Sequence, residues 1–442
     1  MVTPTLVSIL AVAAVPQQEA IELPVDDVAL RAEFDESFRI DDGLTLVSSI
    51  GFDEHGNLNV GDYASGGGLR IITITPSGER SVFGVEGPGP GEFVRATGMV
   101  ALADGRMVVP DLGRRAFQRY EPDGAFTGLT MFGELPGPAN MVYRPYREGG
   151  LLARVRIHRT SEMDSLTISN ATIVSEGPRV VFAVDLGGVA ATLRVLAEGR
   201  ATEAPSFVAS TTLSGIPQGR PVMEGSIHRT ALLPRLLFDA LPGGGLVVAD
   251  TSAYLLTVYD EQGAVQRTIR RALPPRPVTE AMRRRFRGRE FEVLEDLATA
   301  RSALPSAAGR SADLIENLYD MERASIESLQ FGSEVPLIDD LLVTWDGMIW
   351  VRRTPTDAFP HDGSINPLGY NAERTLQDMQ AARGAARIDV LTADGRYCGT
   401  TDPVRWPAAV GPGGLAAYID VTELEVPIVL IGRLLVPPCG ER

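Results

Sequence analysis

The chain has 442 residues, with 57 acidic against 41 basic side chains and a formal net charge of −16. Every basic residue is arginine, which excludes a phosphate loop built on its usual lysine and any Schiff-base or pyridoxal chemistry that needs a side-chain amine. The acidic balance also argues against a general affinity for nucleic acid or anionic lipid surfaces.

The N-terminus carries one apolar stretch, Leu6 to Val15, with small residues at Ala11 and Ala13. Such a stretch is too short to span a bilayer but fits the apolar region of a secretory signal, so residues 1–20 are read as a signal peptide. The basic residues that usually precede that region are missing, since the first arginine is Arg31; a buried strand is the competing reading. No other run is apolar and long enough for a transmembrane helix. The expectation is a periplasmic or secreted protein with no membrane span and no nucleic-acid partner, acting as a monomer.

An internal repeat organises the rest of the chain. Asp53–Asp62 lines up with Ala103–Asp111, Pro242–Asp250 and, more loosely, Trp345–Val351; each is a Gly-containing turn followed by an apolar strand. A second strand and turn come next in Leu69–Gly78, Ala116–Gly124, Leu255–Gly263 and Ala386–Gly395. Units fall at about 44–84, 97–133, 140–199, 206–270, 338–400 and 406–434. Four antiparallel strands per unit predict an all-β fold, a six-bladed β-propeller over 29–434. The sixth unit is one strand short, and the stretch around Ala29–Phe34 would supply its outer strand and close the ring.

Between the first two units lies Phe83-Gly-Val-Glu-Gly-Pro-Gly-Pro-Gly-Glu-Phe93, and near the end stand Gly414-Leu-Ala-Ala-Tyr418 and Val426-Pro-Ile-Val429. With these, the chain resembles six-bladed propellers of the NHL and TolB-like type, in particular a bacterial exported group with a Gly-Pro-Gly-Glu-Phe linker between blades. The resemblance implies the fold and little about activity, since that group mostly lacks an assigned function. Prolines at 88 and 90 remove donors that a phosphate loop would need, so the glycine-rich stretch is read as an inter-blade turn.

The segment 274–330 breaks the strand pattern and reads as a helical insertion in the fifth-blade region, with Thr279 as an N-cap. It holds the densest positive run, Arg283, Arg284, Arg285, Arg287 and Arg289, which is either a patch for an acidic partner or a solvated face balanced by Glu290, Glu292 and Glu295. Asp62, Asp111 and Asp250 end equivalent strands and read as side-chain caps. Ile-His-Arg-Thr occurs at 157–160 and 227–230; two channel-facing histidines would make an acid–base pair, while a shared strand pattern explains the recurrence more simply. The four histidines, His55, His158, His228 and His361, show no metal-ligand spacing. Trp345, Trp350 and Trp406 pack between blades or stack a sugar or peptide at the rim. Cys398 and Cys439 would pair in an exported protein and stay as thiols otherwise.

No catalytic constellation stands out, and no nucleophile elbow is present. The first functional expectation is an exported, non-catalytic binding propeller whose protein, peptide or carbohydrate ligand sits at the central funnel or under the helical insertion, with no cofactor. The alternative is a metal-dependent lactonase- or esterase-like hydrolase holding calcium in the channel. Asn140, Asp239 and Asp340 begin predicted innermost strands and are its candidate oxygen ligands. A weaker third reading is an enzyme acting on an oligosaccharide or peptidoglycan-linked substrate.

Overall fold

Each repeat reverses direction within a few residues between two apolar strands, and that reversal needs left-handed backbone. Glycine supplies it at Gly56, Gly105, Gly245 and Gly347, with φ between 80° and 84°. At Gly245 a side chain would also collide with the Tyr259 carbonyl, 2.2 Å from where its Cβ would stand. The carboxylates of Asp53, Asp104, Asp123 and Asp260 each accept the backbone N–H two residues on and fix neighbouring turns.

The protein, described by a computed structural model, is seen for residues 19–440 apart from 41–42, 65–67, 134–141, 147–149, 157–158, 162–170, 175–178, 201–206, 215–221, 303–311, 357–384, 423–425 and 438. The segment 1–18, most of the expected signal peptide, lies outside the described residues. The fold is a six-bladed β-propeller. From the innermost strand outwards, blade 1 is Val47–Phe52, Leu58–Tyr63, Leu69–Ile74 and Arg80–Phe83. Blades 2 and 3 begin at Val100–Ala101 and Val142–Pro145, blades 4 and 5 at Leu237–Ala240 and Ile338–Val343, and blade 6 at Ala409–Val410.

Both faces of a blade are apolar because each packs against a neighbour. Six buried clusters sit one at each junction, for example Leu69 and Ile71 of blade 1 with Met107 and Val109 of blade 2. On the other face of blade 1, Ile72 and Ile74 meet Ile419 and Val429 of blade 6. Trp350 and Trp406 pack together with Tyr418 at the junction of blades 5 and 6.

Glu33–Ile40 pairs antiparallel with Pro427–Leu435 as the outermost strand of blade 6, so the two chain ends close the ring. Upstream, the same segment straps two further blades. Glu19–Leu23 adds a parallel fifth strand to blade 4 beside Val265–Arg271, and Ala29–Leu30 adds one to blade 5 beside Tyr397–Thr401. Arg271, buried to 2 % exposure, ties the strap down. Its guanidinium donates to the Pro24, Val25 and Asp26 carbonyls at 2.8, 3.2 and 3.1 Å, to Asp27 at 2.7 Å and to buried Asp389 at 2.9 Å. Arg353 and Arg387 also donate to Asp27, at 2.7 and 2.5 Å. Burial pushes the Asp27 carboxyl up, but Arg353 and Arg271 outweigh it and hold it below the usual range.

Asp62 and Asp111, six residues past their turn glycines, anchor the segment entering each blade. Asp62 accepts the N–H groups of Thr45 and Leu46 at 2.9 and 2.7 Å, and Asp111 those of Val94 and Arg95, both at 2.9 Å. Asp250 accepts the Arg200 N–H at 2.6 Å, just past the outer strand of blade 3. The corresponding residue past Gly347 is Arg353, and here the polarity reverses: the strand residue is the cation and the strap brings the anion, Asp27. The glycine-rich linker before blade 2 is folded on itself, with the Glu92 carboxylate accepting the Gly89 N–H at 2.7 Å and Arg114 donating to the Gly89 carbonyl at 2.6 Å.

A seventh sheet stands outside the six blades. It joins Arg159–Ser161, Ala171–Val174, Phe207–Ser214, Val222–Ala231 and Gln330–Phe331. The strands from 207 to 231, expected to open the fourth unit, belong to this sheet, and the fourth blade starts at Leu237. A strand that alternates polar and apolar residues looks the same in either sheet. Helices α1 (Glu280–Ser302) and α2 (Ala312–Glu327) come after blade 4 and precede the first strand of blade 5. Thr279 caps α1, its hydroxyl accepting the Met282 N–H at 3.3 Å. A disulfide joins Cys398, on the outer strand of blade 5, to Cys439 beyond the last strand of blade 6, across a separation of 41 residues.

Arg271→Ala strands the buried Asp389 carboxylate and is expected to cost about 3–5 kcal/mol in urea unfolding. Asp27→Asn should loosen the strap, read as faster proteolysis near residue 30 at neutral pH. A lowered carboxyl stabilises above its unfolded pKa and loses that effect as pH falls, so the difference from wild type should vanish as pH drops well below ~4. An unchanged gap at acid pH would show that the Asp27 charge is not what holds the strap. Removing the disulfide by Cys398→Ser should cost about 4 kcal/mol on the chain-entropy view of a loop this long. Unchanged unfolding of that variant under non-reducing conditions would show that the bond contributes nothing.

Candidate functional site

Six innermost strands converging on one axis leave a space lined by their ends and by the turns beyond them. That space is a cavity of about 580 Å³, to which all six blades contribute. Its lining can be placed in register, because one turn bond recurs: the residue at the end of each first strand donates its N–H to the carbonyl four residues on. The donors are Asp53, Leu102, Tyr146, Leu241, Thr344 and Gly411, at 2.8 to 3.2 Å. Two residues before each donor stand Gly51, Val100, Arg144, Asp239, Leu342 and Ala409, and all six line the cavity. Only blades 3 and 4 put charge at this level. Asp340 on blade 5 lines the cavity two residues earlier in its strand. The charged side chains therefore form an arc over three consecutive blades, while the opposite wall is neutral, with small residues at Ser49, Gly51, Gly98 and Ala409 and larger ones at Phe52, Met99 and Trp406.

The three charged groups differ in what they already hold. Asp239 is committed: its Oδ1 accepts the Ala240 N–H at 2.9 Å and its Oδ2 the Val343 N–H at 2.7 Å, linking blade 4 to blade 5. Burial of its carboxyl pushes its pKa up, and Arg144 and the two backbone donors only partly counter this. Asp340 uses Oδ1 on the Leu341 N–H at 2.9 Å, and its Oδ2 makes no hydrogen bond to a described residue. Arg144 is exposed to the cavity and, among the described residues, makes no hydrogen bond or ion pair, though its charge acts on Asp239. Trp345 also lines the cavity, its ring fixed by an Nε1–H bond of 3.0 Å to the Val410 carbonyl of blade 6.

The sequence candidates thus separate. Asp239 and Asp340 meet in the funnel, and Asn140 lies outside the described residues. Among the described residues no three His, Cys, Asp or Glu side chains come together as a metal site would need. His228 is exposed on the seventh sheet, His55 is exposed at a blade 1 turn, and His158 and His361 lie outside the described residues. Trp350 is buried between blades. Sequence reading missed Arg144; its signal is the position it shares with Asp239, legible only once the turn bond sets the register.

The arginine run stands apart from the funnel, on α1. Arg283 and Arg287 lie over the Phe331 ring at 5.9 and 5.2 Å, Arg289 lies over Phe286 at 5.1 Å, and Arg287 donates to the Leu329 carbonyl at 2.9 Å. Arg284 and Arg285 are exposed. The helices close over the seventh sheet through Arg229, which pairs with Glu290 at 3.2 Å and Glu322 at 3.4 Å and donates to the Ser325 hydroxyl at 3.0 Å. Phe286 is buried beside Ala231 and Val335, so the arm and the sheet share one core.

No family model matches the chain, and no curated protein matches it. Solved propellers do. A member of the DUF4221 family from Bacteroides vulgatus aligns over 92% of this chain and 99% of its own, at 10% identity and a TM-score of 0.44. A Bacteroides fragilis protein thought to be exported aligns over 95% of this chain and 100% of its own, again at 10% identity and a TM-score of 0.44. A streptogramin B lyase aligns over 91% of this chain and 98% of its own, at 10% identity and a TM-score of 0.37. Among the described residues no helix is long and apolar enough to cross a membrane.

Burial pushes the Glu322 carboxyl up, Arg229 pulls it down, and Glu290 adds to the rise. A raised carboxyl contributes its full stability below the unfolded pKa of ~4.3 and loses it as pH rises through the folded value. Docking of the arm should therefore weaken from mildly acid to neutral pH, read as faster hydrogen exchange in α2. In Glu322→Gln that pH dependence should flatten; an unchanged slope would place the sensitivity elsewhere.

Proposed function

We propose that this protein is an exported binding propeller that holds its ligand in the central funnel and does not transform it. The observation that carries the reading is the lining of the cavity. Among the described residues a guanidinium that makes no hydrogen bond or ion pair and a carboxylate oxygen that accepts no hydrogen bond line a six-walled space, with no nucleophile–base pair beside them. The volume of about 580 Å³ lies within the ~300–1,000 Å³ common to small-molecule clefts. Export is supported by the apolar Leu6–Val15 stretch, by the Cys398–Cys439 bond, and by the Gly-Pro-Gly-Glu-Phe linker that marks the resemblance to exported NHL and TolB-like propellers. The protein acts as a monomer in this reading.

A thermal-shift screen of sugars, peptides, lactones and aryl esters, each with and without calcium, tests this. A ligand at ~100-fold its Kd would add about 2.7 kcal/mol of stability. Arg144→Ala and Asp340→Asn should abolish that gain while melting near wild type on their own. Hydrolysis of any lactone or ester together with stoichiometric bound calcium would overturn the reading in favour of the hydrolase.

A further inference from the structure

The funnel's charges are unevenly placed, and that unevenness specifies a ligand. Arg144 of blade 3 and Asp340 of blade 5 flank Asp239 of blade 4, and all three line the same cavity. Among the described residues no ion pair joins Arg144 to either carboxylate, although its charge acts on Asp239, and the Asp340 Oδ2 accepts no hydrogen bond. Each oxygen of Asp239, on the blade between them, already accepts one backbone N–H. A purely cationic ligand would meet the Arg144 charge, and a purely anionic one would meet the carboxylates. A neutral ligand would leave both unpaired groups cut off from water, at the cost of their desolvation. A molecule carrying both a carboxylate and an ammonium satisfies both at once.

From this juxtaposition we propose that the funnel binds a small zwitterion, a free amino acid or short peptide, whose carboxylate pairs with Arg144 and whose ammonium pairs with Asp340. Its uncharged body extends over the wall of Ser49, Gly51 and Ala409, which leaves room for it, beside the Trp345 ring. Planar guanidinium and carboxylate suit one another through two parallel hydrogen bonds, which fixes the orientation of the bound molecule. This inference rests on the reading of the funnel as a binding site and adds the class of molecule it takes.

The test is calorimetry on the full chain with the free amino acids and a set of tripeptides. Each tripeptide is offered with free ends, N-acetylated, and as the C-terminal amide; acetate and glucose serve as singly charged and neutral probes. Free-ended probes should bind, and blocking either end should cost roughly tenfold to hundredfold, the value of one charge-assisted hydrogen bond. In Arg144→Ala the acid and its amide should bind equally, and in Asp340→Asn the free and acetylated amines should. Arg144 makes no hydrogen bond to a described residue that the fold would miss, and the amide oxygen introduced by Asp340→Asn can still accept the Leu341 N–H, so both variants should melt near wild type. Equal binding of blocked and free probes, or glucose or acetate binding in competition with them, would overturn the zwitterion class and leave the binding funnel standing. If no zwitterion binds, the inference falls; if the wider screen of sugars and lactones also finds nothing, the funnel reading falls with it.

Discussion

Closure of the ring is the constraint on which the rest depends. A propeller blade has two apolar faces and is stable only when both are covered, so an open array would leave one face of the first and last blades in water. Here the cost is avoided by building blade 6 from both ends of the chain, with Glu33–Ile40 laid along Pro427–Leu435. The junction this creates is as apolar as the other five, with Val47 and Phe52 against Ala417 and Ile431. The funnel exists only because closure holds six first strands around one axis.

Charge reinforces that closure where strand pairing alone is thin. The strap pairs only two residues with blade 5, a short ladder by any standard. Between its two short ladders runs a turn of backbone whose carbonyls converge on Arg271. That one buried guanidinium fills three carbonyl acceptors there and holds two carboxylates from different parts of the chain. Replacing the usual terminal aspartate by Arg353 in blade 5 is the matching change, since it turns an anchor for the chain's own linker into an anchor for the strap.

The blade count and closure by an N-terminal strand were legible in the sequence because turn chemistry is local, although the closing strand is Glu33–Ile40 and Ala29–Leu30, in the stretch expected to close the ring, joins blade 5 instead. The hairpins at Gly56 and Gly105 announce themselves through Asp and Gly at short, fixed offsets. What escaped was set by long-range pairing. The strands from 207 to 231 carry the same alternation as blade strands and gave no sign that they leave the ring. Asp239 and Asp340 were picked out as acids near strand starts, yet the chemistry of each depends on which backbone donors its oxygens meet, and Val343 lies more than a hundred residues from Asp239. Arg144 sits in Val142-Tyr-Arg-Pro-Tyr146, where the proline argues against a strand and hides the register.

The seam in blade 6 also governs when the molecule can form. Its inner three strands are made last and its outer strand early, so Glu33–Ile40 leaves the ribosome long before Pro427–Leu435 exists to pair with it. Pairings between such distant parts of a chain carry a high contact order and form slowly. A chain organised this way stays unclosed while it is being made, and its last junction forms only once Pro427–Leu435 is available. The same seam that seals the finished ring keeps the growing one open.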